Sequence, residues 1–286
     1  MSRCTTGMLA GLLIVCVTCM ALTPTYAAVT EVSSGMENKP VAENPFRSFN
    51  LLNTRVRDRH IDRAAARQEL LRLLPAIKAH YYANGGRNHD RSEWIFPLSG
   101  YSARAIADGR WHGYEPLGYD WYDGNSHGGH PSLDIFIRDR NRDDLDDRTG
   151  VPVPVLAMTG GIVVALEKEW SASSTLRGGK YLWVYDPSSE ALVYYAHNRE
   201  LTVGLGDIIK PGDPIAFVGR TGRNAARKRS PTHLHLTYLT VNRDGALTPQ
   251  DPYPFLLRSA IKTNARGAKP DVSPSLSVTS FPPPAR

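Results

Sequence analysis

A chain of 286 residues, of which 41% are hydrophobic, is long enough for one sizeable domain with extensions. Its formal net charge of +6 suits an anionic polymer as partner, and nucleic acid is the weaker alternative because the chain is expected to be exported. The three cysteines, Cys4, Cys16 and Cys19, all precede the expected export cleavage site. The mature chain is therefore expected to contain no disulfide and no thiolate metal ligand.

Residues 1–27 have the pattern of a secretory signal peptide. Arg3 supplies the positive n-region, LAGLLIVCVTCMAL (9–22) is the apolar region, and Thr25 and Ala27 are the small residues of a cleavage site. The apolar region is short for a membrane span of about 20 residues, and no later segment is long and apolar enough to span. We expect a periplasmic or extracellular protein with no membrane span after cleavage. The alternatives are an uncleaved anchor and a lipoprotein, and both candidate lipidation cysteines fit poorly.

A polar lead-in and a helical extension are predicted next. Residues 28–50 are polar with scattered Gly and Pro, and are expected to be flexible. Residues 51–91 are expected to form one or two amphipathic helices that pack on the main domain, because apolar residues recur at helical spacing. Pro75 is expected to kink or break the helix, and Gly85 and Gly86 to end it.

Residues 92–258 are predicted to be mainly β. Short β-branched and aromatic runs such as GIVVALE, KYLWVYD and HLHLTYLTV alternate with turns rich in Gly, Pro, Asp and Asn. This spacing indicates an antiparallel sandwich or barrel-like domain. The remaining residues, 259–286, are rich in Pro and Ser and are expected to be disordered.

His233 and His235 lie in the β-prone run SPTHLHLTY. Side chains two apart on a strand share a face and are about 7 Å apart, which is farther than two ligands of one zinc ion. One histidine of the pair is therefore the better candidate for a ligand, and the other would face whatever the metal holds. For an isolated pair, solvated or core histidines are the more common alternative.

His130 and Asp134 in HGGHPSLDIFI are the candidate partners of that pair. On a regular strand they would lie about 13 Å apart, so they can share a metal only if the chain bends at Pro131 and Ser132. The alternative is that Asp134 caps a turn. His197 in YYAHN ends an apolar strand and by itself is an ordinary strand-end histidine. Together, His130, Asp134 and one histidine of the pair make three ligands, which is the open pattern of catalytic zinc.

The order HPSLD, YAH, GDIIKPGDPIAFVGRTG and HLH resembles the zinc metallopeptidases of the LytM/lysostaphin type, peptidase family M23. The resemblance covers about 94–257. It implies a compact antiparallel barrel-like fold with an open groove, zinc bound by His130, Asp134 and His235, and His197 and His233 beside the catalytic water and scissile carbonyl. It also implies peptidoglycan as partner, with hydrolysis of a cross-bridge or stem peptide.

Two departures from that family pattern stand out. Ser132 occupies a position that is usually Gly, which bears on the bend before Asp134. RNAARKRSPT (223–232) is a longer and more basic segment than usual; it forms either a basic rim for acidic substrate or a solvated loop. His127, three residues before His130, is a competing candidate ligand.

The acidic run DRNRDDLDDRTG is a second, partial metal signal. Positions 1, 3, 5 and 9 of a calcium-loop pattern are held by Asp139, Asn141, Asp143 and Asp147. Asp144 replaces the expected Gly and Gly150 the expected Glu. The alternatives are a structural calcium ion and an acidic solvated turn.

The sequence thus predicts an exported zinc endopeptidase that acts on peptidoglycan. The alternative function is a non-catalytic peptidoglycan-binding regulator on the same fold, which would be expected to lack some of the five site residues. A lipoyl-type carrier domain is disfavoured because no exposed lysine motif is present and the histidines would be unexplained.

Overall fold

An antiparallel sheet of nine strands forms the centre of the described part of the chain in the computed structural model, which describes residues 44–108 and 110–263. The strands are β1 (Ser132–Phe136), β2 (Pro154–Leu156), β3 (Gly161–Glu167), β4 (Lys180–Asp186), β5 (Ala191–Leu201), β6 (Ile208–Ile209), β7 (Pro214–Val218), β8 (His233–Val241) and β9 (Leu247–Pro249). The helices are α1 (Pro45–Arg57), α2 (Arg63–Ala83) and the short α3 (Tyr253–Leu256).

The main path through the sheet is β1-β8-β5-β4-β3-β6, with β9 beside β8 and β2 beside β7. Every ladder between these strands is antiparallel. The prediction of a mainly antiparallel β fold is therefore confirmed. The path ends at β1 and β6, which do not pair with each other, so the sheet is branched and open rather than a closed barrel.

The central strand β5 changes neighbours at His197. Its first part pairs with β4 and β8, and from Asn198 onward it pairs with β7. The register against β4 shifts between Lys180 and Leu182, and His197 has a φ of +66°. Such a bulge bends a strand and redirects one side chain, so His197 lies where the sheet turns.

Each face of the sheet covers its own apolar cluster, because alternate residues of a strand point to opposite faces. On β8, Leu234 and Leu236 join a cluster with β1 and β2, whereas Leu239 joins a second cluster that contains α1 and α2. His233 and His235 have the same parity as Leu239. The helices therefore cover part of the face that carries the histidines, and the rest of that face is left for the site.

Helix α1 begins inside the segment predicted to be flexible. Its N-cap Asn44 accepts hydrogen bonds from the backbone N–H of Phe46 and Arg47, and Pro45 occupies the first turn. These are favourable residues for a helix start. The prediction of a flexible lead-in is wrong for residues 45–50, which belong to a helix packed on the sheet.

Helix α2 runs unbroken through Pro75, so of the expected kink or break, the break does not occur. The two helices are separated instead between Arg57 and Arg63, upstream of Pro75. Pro75 is exposed. Because it lies on the solvent side, water can satisfy the carbonyl that loses its helical hydrogen bond.

The C-terminal boundary also differs from the prediction. Residues 259–262 were expected to be disordered, but the backbone N–H of Phe96 donates to Ala260 O and that of Gly100 to Lys262 O, both at 2.9 Å. The signal peptide, the first part of the lead-in and the rest of the tail lie in 1–43 and 264–286, outside the described residues. Among the described helices, none has the length and apolar character needed to cross a membrane.

The packing of α1 on the sheet can be tested with two adjacent leucines. Leu52 is fully buried and Leu51 is 58% exposed. Leu52→Ala should lower the free energy of unfolding by about 2–5 kcal/mol because it leaves a cavity, whereas Leu51→Ala should change it by less than about 0.5 kcal/mol. Urea unfolding measures both, and equal effects of the two substitutions would contradict this placement of α1.

Candidate metal centre and active site

The register between β1 and β8 brings the first two candidate ligands together. Asp134 lies directly opposite His235, and Phe136 lies opposite His233. Directly opposed side chains in an antiparallel pair lie on the same face of the sheet. The Nδ1 atom of His235 is 2.9 Å from Oδ1 of Asp134.

His130 reaches the same carboxylate from just before β1. Its Nε2 is 3.4 Å from Asp134 Oδ1, so the chain bends as expected, although Asp134 lies in the middle of β1 rather than at its start. Gly129 has a φ of +67°, and a Cβ there would lie 2.7 Å from Leu117 O. Ser132 does not disturb the bend, because it is buried and its hydroxyl is 2.7 Å from that of Thr237.

One ligand atom each from His130, Asp134 and His235 lies within 4.8 Å of the other two. Within the described residues this is the one such group of His, Cys, Asp or Glu. The Nδ1 of His130 donates to Gly113 O at 2.8 Å, which leaves its Nε2 facing Asp134. A backbone partner of this kind fixes the tautomer and the ring orientation of a metal ligand.

The charges in this group suit a cation. Burial acts to raise the pKa of Asp134, but hydrogen bonds from His130 and His235 outweigh burial and hold the pKa well below its usual range. Burial likewise acts to lower the pKa of His130, and the carboxylate of Asp134 reverses this and raises the pKa. An ionised carboxylate between two imidazoles gives two nitrogens and oxygen as donors, which is a set that zinc accepts.

His197 and His233 stand beside the group with their Nδ1 atoms engaged. The Nδ1 of His197 donates to Thr221 O at 2.9 Å, and that of His233 donates to Pro231 O at 2.8 Å. The ring centroids of the two histidines are 4.9 Å apart, and that of His197 is 5.3 Å from the His235 ring. Burial lowers the pKa of His197 well below its usual value. At neutral pH its Nε2 therefore carries a lone pair.

The backbone that holds His197 depends on glycine at position 222. Gly222 has a φ of +106°, and a Cβ on it would lie 2.5 Å from Arg177 O and 2.8 Å from His197 Nδ1. The GRTG part of the motif thus supplies both the close approach and, through Thr221 O, the acceptor for the imidazole. Spacing along the sequence does not show this link.

A cavity of about 330 Å³ opens beside these five residues. Its aromatic walls were not predicted as part of the site; they are Tyr119, Trp121, Tyr181, Trp183 and Tyr194. Asn53, Val56 and Arg57 of α1 also line it. Three of these aromatic residues lie in the runs KYLWVYD and LVYYAH, which are visible in the sequence. Nothing in the sequence connects α1 with the histidines.

His127 lines the cavity but does not belong to the metal-binding group. Its Nδ1 is 2.9 Å from Gly128 O, and burial lowers its pKa. The basic segment after β7 is partly structural: Arg220 donates to the carbonyl oxygens of Arg227 and Ser230. The exposed cations of that segment are Arg223, Arg227, Lys228 and Arg229.

The predicted calcium site is not supported. The carboxylate of Asp139 accepts the backbone N–H groups of Asp143 and Asp144, and the Thr232 hydroxyl donates to it at 2.6 Å. Asp147 accepts the backbone N–H of Arg140, and Asn141 donates to Asp143. The side chains of Asp139, Asn141, Asp143 and Asp147 therefore close the loop with their own hydrogen bonds, and they form no metal-binding group in the described chain.

Comparisons with known proteins agree with the sequence motifs. A family model described as Peptidase family M23 matches residues 144–249, which include His197, His233 and His235. The chain is 29% identical over 137 residues to the glycyl-glycine endopeptidase ALE-1 of Staphylococcus capitis, an alignment that covers 48% of this chain and 35% of that protein. It is 35% identical over 105 residues to a lipoprotein NlpD/LppB homolog of Pseudomonas aeruginosa, an alignment that covers 37% of this chain and 30% of that protein.

The chain thus spans about a third of the length of these curated relatives. Among solved structures, the catalytic domain of the antimicrobial peptidase lysostaphin from Staphylococcus simulans is 25% identical, with a TM-score of 0.35. That alignment covers 54% of this chain and 94% of that domain. The matched segment and the order of the four motifs confirm the resemblance to peptidase family M23.

Proposed function

We propose that this chain is an exported zinc-dependent endopeptidase that hydrolyses a peptide bond of peptidoglycan. The observation that carries the proposal is the convergence of His130, Asp134 and His235 on one point, with His197 and His233 beside it. Three protein ligands with an open fourth position are typical of catalytic rather than structural zinc. The name of the endopeptidase relative supports peptide-bond cleavage.

The residues present fit a zinc ion. His130 would bind through Nε2 and His235 through Nδ1, because these are the nitrogens that face the Asp134 carboxylate. When bound, zinc supplies Lewis acidity toward a carbonyl and makes a water more acidic. The protein's part would be to hold Asp134 and His235 on paired strands and His130 in the bend just before β1, beside the cavity.

The two remaining histidines would move protons. His233 Nε2 is 3.7 Å from Asp134 Oδ1, next to the ligands, and would accept a proton from the attacking water. The protonated imidazole would then donate to the amine nitrogen that leaves. His197, neutral through burial, would orient the water and flank the scissile carbonyl with its Nε2. The hydrogen bonds from both Nδ1 atoms hold each ring in the required tautomer.

The proposal of export rests on the sequence, because its signal lies outside the described residues. It follows from the sequence of residues 1–27 and suits a wall polymer as substrate. The basic exposed segment at Arg223–Arg229 is favourable for an anionic polymer. The alternative function, a non-catalytic regulator that binds peptidoglycan, would leave the complete set of five residues without a use.

Substitution of the histidines should separate metal binding from turnover. His235→Ala should lose both zinc and activity because it removes a ligand. His233→Ala should retain about one zinc per chain but lose roughly 10²–10⁴ in kcat, the usual contribution of a general acid–base group. Elemental analysis and amine release from peptidoglycan measure the two properties. Wild-type hydrolysis by both variants would exclude this assignment.

A digest of defined muropeptides should distinguish the enzyme from the regulator. The zinc-loaded mature chain should cleave one type of peptide bond, which mass spectrometry identifies from the products. A chelator should abolish cleavage and added zinc should restore it, because ligand-bound metal is required. Binding of muropeptides without any cleaved product, by a chain that contains zinc, would favour the regulator.

A further inference from the structure

Arg177 is a cation on the cavity wall whose guanidinium keeps unused donors. It lies just before β4 and lines the cavity together with the metal-binding group. Its Nη1 donates to the carbonyl oxygens of Asn125 and His127, both at 3.2 Å. Within residues 44–108 and 110–263, neither Nε nor Nη2 of Arg177 has a hydrogen-bond partner. One edge of the guanidinium is therefore available.

The carboxylates near this wall are already paired with other arginines. Asp120 and Asp123 both form ion pairs with Arg63 of α2, and Arg63 Nη2 is 2.6 Å from Asp123 Oδ1. Arg57 of α1 is 2.8 Å from Asp58 and 3.1 Å from Glu167. In the described part of the chain, no carboxylate lies within 4.0 Å of Arg177. Its positive charge is thus left for something that enters the cavity.

The ionised groups that line the cavity add up to a positive site. Besides the histidines, the titratable groups that are charged at neutral pH are Arg57, Asp134 and Arg177. Arg57 is neutralised by its two carboxylates, and a divalent ion would more than neutralise Asp134. A cavity that presents one cation and one bound metal ion favours an anionic ligand.

Arg177 also lies close to the reacting centre. Arg177, Tyr119 and Tyr194 line the same cavity. Burial raises the pKa of both tyrosines, and the charge of Arg177 opposes this rise at each phenol. The ring of Tyr194 is 6.2 Å from that of the ligand His235. The backbone of Arg177 approaches the histidines as well, because a Cβ on Gly222 would lie 2.5 Å from Arg177 O and 2.8 Å from His197 Nδ1.

We propose that Arg177 binds a carboxylate of the substrate next to the cleaved bond, so that the enzyme prefers an acidic stem-peptide cross-link to a neutral glycine bridge. The free edge of a guanidinium matches a carboxylate in a bidentate arrangement, which lysine cannot reproduce. This rests on the proposed function. Two sources of the carboxylate fit the chemistry: the side chain of a diamino dicarboxylic acid and the C-terminus of the peptide.

The test uses one cross-linked peptide in three forms: both carboxylates free, the side-chain carboxylate amidated, and the C-terminal carboxylate amidated. Arg177→Gln should lower kcat/KM on the free form by roughly ten- to a hundredfold, mainly through KM, as expected for a hydrogen bond to a charged group. On one of the two amides, Arg177→Gln should change kcat/KM little, because amidation has already removed the carboxylate that Arg177 binds. The position of that amide therefore identifies the carboxylate. Arg177→Lys should restore little of the loss.

Arg243→Gln is the matched control, because it removes the same charge from an exposed position that does not line the cavity and lies outside the basic segment after β7. It should leave the ratio of acid to amide hydrolysis unchanged. Equal losses by Arg177→Gln on all three peptides would mean that Arg177 only holds the carbonyls of Asn125 and His127. That result would overturn the proposal.

Failure of the proposed function has a different signature. If the zinc-loaded wild type cleaves none of the peptides, calorimetric titration of the same three uncleaved peptides decides the role of Arg177. Tighter binding of the free form than of one amide, lost in Arg177→Gln and retained in Arg243→Gln, is the expected result. Equal affinity of the wild type for all three forms would overturn carboxylate binding by Arg177.

Discussion

The pairing register of β1 with β8 is the constraint on which the candidate site depends. It sets Asp134 opposite His235, and the strand period of two then places His233 on the same face. A shift of one residue would turn Asp134 away from that face and expose Leu133, which is fully buried. The apolar cluster on the opposite face therefore fixes the register, and the register fixes the metal-binding geometry.

The helical extension contributes to the site as well as to the core. It covers part of the face that carries the histidines, and three residues of α1 line the cavity. Arg57 and Arg63 engage the nearby carboxylates. Gly124, whose φ is +54°, leaves no room for a Cβ against Val56 O, so the loop of the cavity wall lies directly on α1. Packing, charge pairing and cavity shape are thus coupled through the helical extension, α1 and α2.

Short-range patterns predicted the fold class and the residues that converge, because strand alternation and ligand chemistry are visible in HPSLD and HLH. The start of α1 differs from the prediction because residues 28–50 are polar overall, whereas Asn44 and Pro45 form a local helix-start pattern. The prediction of a calcium site is not supported, because the spacing of acidic residues does not show that Asp139 already accepts two backbone N–H groups. The roles of Arg57 and Arg177 depend on partners far along the chain, which local sequence does not specify.

X-ray absorption spectroscopy of the zinc-loaded mature chain tests the central claim, which is that strand register separates His235 as ligand from His233 as neighbour. The account predicts a first shell of two imidazole nitrogens, one from His130 and one from His235. Oxygen ligands from Asp134 and solvent complete the shell, all at about 2.0–2.2 Å. A third imidazole in the first shell would show that His233 or His197 binds the metal, and it would contradict the account.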